Sequence, residues 1–268
     1  MIRELIKQKE IKIIMVITGV MTLCLLIGMA VYPLIKEKNP PTTLKRLAYD
    51  VAPSYGYTIY LEEESGYHPY LVLTDDYDGG GDVLLLRQYV LDEYQPLYKE
   101  RAGIAYYGKS YLDEYLNNEY YETLSERVQE KVVESPVEIF AKTAWGHNGK
   151  DVPMTIHINR KVFVLSVAEV TPRSTRRSIR EGRALKYFKD DVERTRAFNA
   201  EGKSVFWRLR TPAFDTVTGV VIGPDLLVDL GNIYNPLGVW PALCMPGNVK
   251  IKQSETVIEG QTVYVLEE

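Results

Sequence analysis

Cysteine and histidine are scarce in this chain, with two of the former and three of the latter among 268 residues. Cys24 sits in an apolar N-terminal run and Cys244 near the other end, so no intrachain disulfide is expected. No Cys-x-x-Cys pair and no Cys/His spacing suited to zinc occurs. His68, His147 and His157 are scattered, and H-E-x-x-H, G-x-S-x-G and S-x-x-K arrangements are all missing. Carboxylates are too evenly spread for any pair to be chosen for glycosidase chemistry without geometry. An enzyme reading therefore has no residue-level support. Excess positive charge is missing too. Residues 1–35 carry four cations against Glu4 and Glu10, which leaves 28 basic and 34 acidic side chains for the rest. Nucleic acid, which needs clustered cations, is not an expected partner.

One long uncharged run stands out. Ile13 to Ile35 is 23 residues without a charge. At 1.5 Å per residue it would reach roughly 34 Å, enough to cross a bilayer's hydrocarbon core. Cations flank both ends (Arg3, Lys7, Lys9 and Lys12 before; Lys36, Lys38, Lys45 and Arg46 after), so the positive-inside count is a tie. A short basic N-terminus ordinarily stays inside, which places the larger part outside. Gly28-Met29-Ala30 offers a cleavage-like alternative, but the run continues through Val31, Tyr32, Leu34 and Ile35. A signal anchor is the expectation, giving a single-pass protein of the cell membrane with an extracellular C-terminal part. The expected divisions are a cytoplasmic 1–12, a transmembrane 13–35, a linker 36–65, a domain 66–246 and a C-terminal hairpin 247–268.

Within the domain, Tyr70-Leu71-Val72-Leu73 and Val83-Leu84-Leu85-Leu86 predict a hairpin covered on both faces, because the runs are continuous rather than alternating. Its connector holds Asp75, Asp76, Asp78 and Asp82 with three glycines. Asp76, Asp78 and Asp82 are candidate Ca²⁺ ligands on a Gly-bent loop, although the distal Glu of an EF-hand is missing. The plain alternative is a solvated hairpin tip. Ser110 predicts a helix N-cap with Leu112, Tyr115, Leu116 and Tyr120 on one stripe, and a second short helix starts at Ser125. Val137–Ala141 and Lys161–Val167 read as strands around a turn-rich excursion. Residues 173–196 gather nine cations against four acids, either an anion-attracting surface or a solvated face. Residues 248–268 read as a hairpin, with Thr256-Val257-Ile258 and Val263-Tyr264-Val265 as its strands. Twenty tyrosines suit either a binding surface or the cover of a modest core.

Gly103 to Ser110 matches G-x-x-x-x-G-K-[ST], in which Lys109 and Ser110 would hold phosphate and Mg²⁺. The polar, proline-bearing stretch before it is no buried parallel strand, so the expected role of Ser110 is a cap.

Val205-Phe206-Trp207-Arg208-Leu209-Arg210-Thr211-Pro212 and Gly238-Val239-Trp240-Pro241-Ala242-Leu243 mix aromatic, apolar and cationic residues and run into a proline. They read as two strands that close the fold. Arg208, Arg210 and Trp240 are the candidate ligand-binding residues, with Trp207 and Trp240 weighted toward the core.

These segments, with Val83–Asp92, Ser110–Asn117 and Lys161–Val167, resemble in order and spacing the bacterial family of domains of unknown function numbered 6273. The resemblance spans about residues 66–246, and Trp240 stands where that family's closing segment has Arg. The closing segment is also similar to the ending of C-type-lectin-like and sulfatase-modifying domains. That looser resemblance implies an α+β, C-type-lectin-like domain with antiparallel sheets and two flanking helices, preceded by one N-terminal transmembrane helix. The cysteine pair with which sulfatase-modifying domains bind copper is missing, so their oxidase chemistry is not expected. Apart from the Ca²⁺ reading, no cofactor is expected. The resemblance supplies no activity. The expected function is a binding or structural module at the cell surface, with a glycan or other cell-envelope component as partner. The alternative is an envelope glycan hydrolase.

Overall fold

The computed structural model describes residues 40–51, 56–100, 102, 104–145, 153–171, 181–213, 217–254, 257–258 and 263–267. The expected transmembrane run 13–35, Cys24, Gly103, His147, and Arg173, Arg176, Arg177 and Arg180 of the basic stretch lie outside the described residues. Among the described residues no helix is long and apolar enough to cross a membrane.

The chain from Pro41 onward is built from fourteen strands among the described residues. In chain order they are β1 (Thr58–Glu63), β2 (Gly66–Thr74), β3 (Asp82–Arg87), β4 (Ser135–Phe140), β5 (Thr155–Arg160), β6 (Val162–Val164) and β7 (Ala197–Phe198). There follow β8 (Ser204–Val205), β9 (Trp207–Pro212), β10 (Thr218–Ile222), β11 (Val228–Asn232), β12 (Pro241–Pro246), β13 (Ile251–Gln253) and β14 (Tyr264–Leu266). Seven of them form one sheet in the order β13-β14-β1-β2-β3-β12-β6. Among the described residues only its β1–β14 pair is parallel, through Tyr60 and Val265. A three-stranded sheet β11-β10-β9 and the hairpins β4-β5 and β7-β8 complete the strand pairing.

The hairpin expected at 70–86 is present. Leu71 faces Leu86 and Val72 faces Leu85 across β2 and β3. Val83 to Leu86 are fully buried, as a continuous apolar run requires when both faces are covered. β1 lies within the stretch read as a linker, and it pairs with β2 along its full length, from Thr58–Leu71 to Glu63–Gly66. The C-terminal hairpin exists with a different first strand. Ile251–Gln253, rather than Val257–Ile258, pairs with Tyr264–Leu266, and Thr256 lies outside the described residues.

The α+β, C-type-lectin-like layout with two flanking helices is not the one the chain adopts. Among the described residues strand accounts for 39% and helix for 19%, so the domain is mainly β there. The physical reason lies in the helical segments themselves. The segment capped by Ser110 runs as α over Tyr111–Tyr115, then as a π turn over Leu116–Tyr120, then as α over Tyr121–Thr123. At the π turn, Asn117 accepts from Lys161 N and Val162 N and donates to Val162 O, which fastens the helix to the start of β6. The helix expected at Ser125 is only Glu126–Gln129. Neither segment carries an apolar stripe long enough to form a helical layer.

The two closing segments sit in different sheets and meet at their ends. Trp207 bridges Gly238, with Arg208 N donating to Gly238 O (3.1 Å) and Gly238 N to Phe206 O (3.0 Å). A Cβ on Gly238 would lie 2.8 Å from Phe206 O, so the crossing requires glycine. The Trp207 and Trp240 rings pack edge to face at 4.8 Å between centroids, and both are buried. Their indole N–H groups donate to Thr195 O and Arg87 O. The pair therefore joins the small sheet to the large one.

Candidate ligand-binding clefts

Arg210 sits at the centre of a buried polar cluster. Its Nη1 and Nη2 donate to Glu169 Oε2 and Oε1, both at 2.7 Å, and further donors reach Val164 O and Glu138 O. Glu169 also closes a capping box with Ser166 at the helix Val167–Val170. Tyr77 donates to Glu169 Oε1 at 2.7 Å. The surroundings pull the Arg210 guanidinium both ways: burial lowers its pKa, but Glu169, Tyr77 and Glu181 outweigh burial and raise it. Glu181 lies alongside, fully buried, and accepts from Phe140 N and Thr211 Oγ1 at 2.6 Å each. Burial pushes its pKa from an ordinary 4.5 to about 7, against the lowering influence of Arg210 and its two donors. Gly182 has φ +80°, and a Cβ there would come within 2.7 Å of Glu169 Oε1.

Arg208 is equally buried but lacks such a partner. Nη2 donates to Asn232 O (2.8 Å) and Asn235 O (3.1 Å), while Nε and Nη1 make no hydrogen bond. Burial alone lowers its pKa to about 10. The two carbonyls belong to the turn after β11, so Arg208 staples that turn beneath the small sheet.

The Asp-rich connector between β2 and β3 is held by its own backbone. Asp76 Oδ1 accepts from Gly79 N (2.8 Å) and Gly81 N (3.0 Å), and Asp78 Oδ1 from Gly80 N (2.8 Å). Gly79 and Gly81 take positive φ, as a tight turn demands. The Asp82 carboxyl is raised by burial, then by Asp78 and Asp76. Among the described residues no three His, Cys, Asp or Glu side chains converge as a metal ion would need. Asp76 and Asp78 each accept glycine N–H groups through Oδ1, which orders the hairpin tip from within. At the G-x-x-x-x-G-K-S match, the Ser110 hydroxyl is buried and accepts from Asp113 N, and Lys109 N donates to Asp113 Oδ2. That hydroxyl is a cap.

Two clefts open beside these groups. The first, about 290 Å³, is lined by Tyr77, Asp78, Glu138, His157, Glu169 and Arg183 among others. Its walls are internally bonded: Glu169 as above, and Glu138 by Thr155 Oγ1 (2.5 Å) and Gly182 N (2.7 Å). The second, about 400 Å³, lies between the β1–β2 turn, the loop after β3 and the helix at 111–123. Glu63, Glu64, Ser65, Arg87, Asp92, Glu93, Tyr115 and Tyr120 contribute to its lining. In its floor, Tyr70 Oη donates to Glu63 Oε1 (2.7 Å), as does Arg87 Nε (2.9 Å), and Tyr120 Oη lies 2.6 Å from Tyr70 Oη. Arg87 also donates to Tyr89 O, Val90 O and His68 Nδ1. Burial and the Glu63 charge hold the Tyr70 and Tyr120 hydroxyls un-ionised. Arg208, Arg210 and Trp240 line neither cleft. Glu63 and Tyr120, 57 residues apart, carry no motif that links them in the sequence.

The family that matches this chain is described as Domain of unknown function (DUF6273), and the match covers residues 80–247. The chain belongs to that family. No curated protein and no solved structure matches it. The match divides the larger cleft. Arg87, Asp92, Glu93, Tyr115 and Tyr120 fall inside the matched residues, whereas Glu63, Glu64 and Ser65 precede them.

Proposed function

We propose that this chain is a binding module held at the outer face of a membrane by its N-terminal segment, and that it takes a glycan or related cell-envelope component in the 400 Å³ cleft. The uncharged run 13–35 and the basic N-terminus before it support the anchor and its orientation. The cleft carries the reading. Its volume suits a small ligand, and its floor is pre-ordered by the Tyr120–Tyr70–Glu63–Arg87 network.

Ser65 and His68 are not set up as a nucleophile and its base. Ser65 Oγ lies 2.7 Å from His68 Nε2. Arg87, which has only donors, lies 2.8 Å from His68 Nδ1, so Nδ1 accepts and Nε2 carries the proton. The imidazole then donates to Ser65 and has no lone pair with which to activate it.

The test uses the full-length chain in detergent on immobilised cell-wall oligosaccharides, alongside Tyr115→Ala. Retention that Tyr115→Ala weakens, without release of reducing ends, supports the reading. Release of reducing ends that is lost on Glu64→Gln or Asp92→Asn would establish the alternative, an envelope glycan hydrolase. Failure to retain any glycan would overturn the proposal.

A further inference from the structure

The hydrogen-bond chemistry of the same cleft narrows what it can hold, provided the cleft is the binding site proposed above. Its floor presents acceptors whose own donors are taken up. The Tyr70 proton goes to Glu63 Oε1. The Tyr120 proton goes to Tyr70 Oη at 2.6 Å or to Glu63 Oε1 at 3.3 Å, and either choice leaves the Tyr120 oxygen with a free lone pair. Among the described residues Glu63 Oε2 makes no hydrogen bond, and the neutral His68 imidazole lies 3.8 Å away through Nε2. The Glu63 side chain is only 6% exposed and Tyr120 only 3%, so these oxygens belong to a nearly buried floor. Arg87, the only cation among the described residues of the lining, turns four of its five donors inward to Glu63, Tyr89, Val90 and His68.

The rim repeats the pattern. Among the described residues, Glu64, Asp92 and Glu93 form no ion pair. With Glu63 offset by Arg87, the lining keeps three uncompensated negative charges. Tyr115 adds aromatic surface, a favourable neighbour for a cation.

We infer that this cleft recognises a protonated primary amine on its ligand, such as the ammonium of an amino sugar, with Glu63 Oε2 and Tyr120 Oη as the acceptors and Glu64, Asp92 and Glu93 as the attracting field. A hydroxyl brings one donor and no charge. An ammonium brings three donors and the charge that the lining lacks.

The experiment titrates the full-length chain in detergent with a β-1,4-linked glucosamine tetramer and with its fully N-acetylated counterpart, at low and high salt. The free-amine tetramer is expected to bind about tenfold tighter or more, the scale of one charge-assisted hydrogen bond. Salt should weaken that preference. The double variant Glu64→Gln/Asp92→Asn should abolish it, while Glu201→Gln, exposed and outside the cleft lining, should leave it intact. Equal binding of both tetramers would overturn the amine inference and leave the glycan-binding reading standing. A preference that survives the double variant would show attraction elsewhere on the acidic surface, and the inference would fall. Binding of neither tetramer would count against both.

Discussion

Arg208 and Arg210 lie two residues apart on β9, both buried, yet their surroundings differ sharply. Arg210 meets a carboxylate in a two-point geometry and donates to two strand carbonyls. Arg208 meets two turn carbonyls and, among the described residues, no acid. The lesson is that burial of a cation does not by itself mark a site. Arg210 is fixed because removing it would strand the Glu169 charge in the interior. Arg208 carries the cost of an unpaired charge in return for holding one turn.

The largest expected effect tests the Arg210 side. Arg210→Met should destabilise the domain by about 3–5 kcal/mol, read by urea unfolding, because Glu169 remains buried and unpaired. Adding Glu169→Leu should recover part of that loss, since the two positions share one interaction. A loss under about 1 kcal/mol would remove Arg210 from its central role.

Glu181 sharpens the same side through pH. Its pKa in the folded protein, about 7, lies above its ordinary 4.5, so the folded state prefers the protonated form. The associated stability is fully present below about pH 4.5 and is lost as pH rises toward 7, by about 3 kcal/mol in all. Glu181→Gln should flatten that segment of a stability–pH profile measured by urea unfolding. An unchanged slope would show that the Glu181 carboxyl ionises at its ordinary pH.

The Arg208 side predicts the opposite of Arg210. Arg208→Met deletes two hydrogen bonds and one uncompensated buried charge together, so the net change should stay within about 1 kcal/mol, of either sign. A cost as large as that for Arg210→Met would show that the two arginines are equally central to the fold. The smallest effect belongs to the cleft rim. Glu64→Gln should move stability by no more than about 0.5 kcal/mol while altering ligand binding, as expected of an exposed side chain outside the core. Thermal unfolding of the variant checks that its binding change is not a folding change.

Local features were legible in the sequence because each depends on neighbours along the chain. The continuous apolar runs of β2 and β3 announced a doubly covered hairpin, and Ser110 announced a helix start. The helices themselves were over-read. Leu112, Leu116 and Tyr120 are buried on one stripe as expected, but Asn117 diverts the backbone into a π turn to reach β6. β1 was missed because Thr58–Glu63 is polar at its far end, and its partners on either side, β2 and β14, include the far terminus of the chain.

By itself, then, the sequence determined the central hairpin, the two closing segments around Trp207 and Trp240, an uncharged stretch of membrane-crossing length, and family membership. Only the tertiary structure decided that those closing segments belong to different sheets, that Glu169 answers Arg210 across 41 residues while Arg208 meets only backbone carbonyls among the described residues, and that Glu63 and Tyr120 share a cleft floor. Periodicity and capping are governed by a few adjacent residues. The partner of a buried charge is governed by which distant strands the topology brings side by side, and no local pattern encodes that choice.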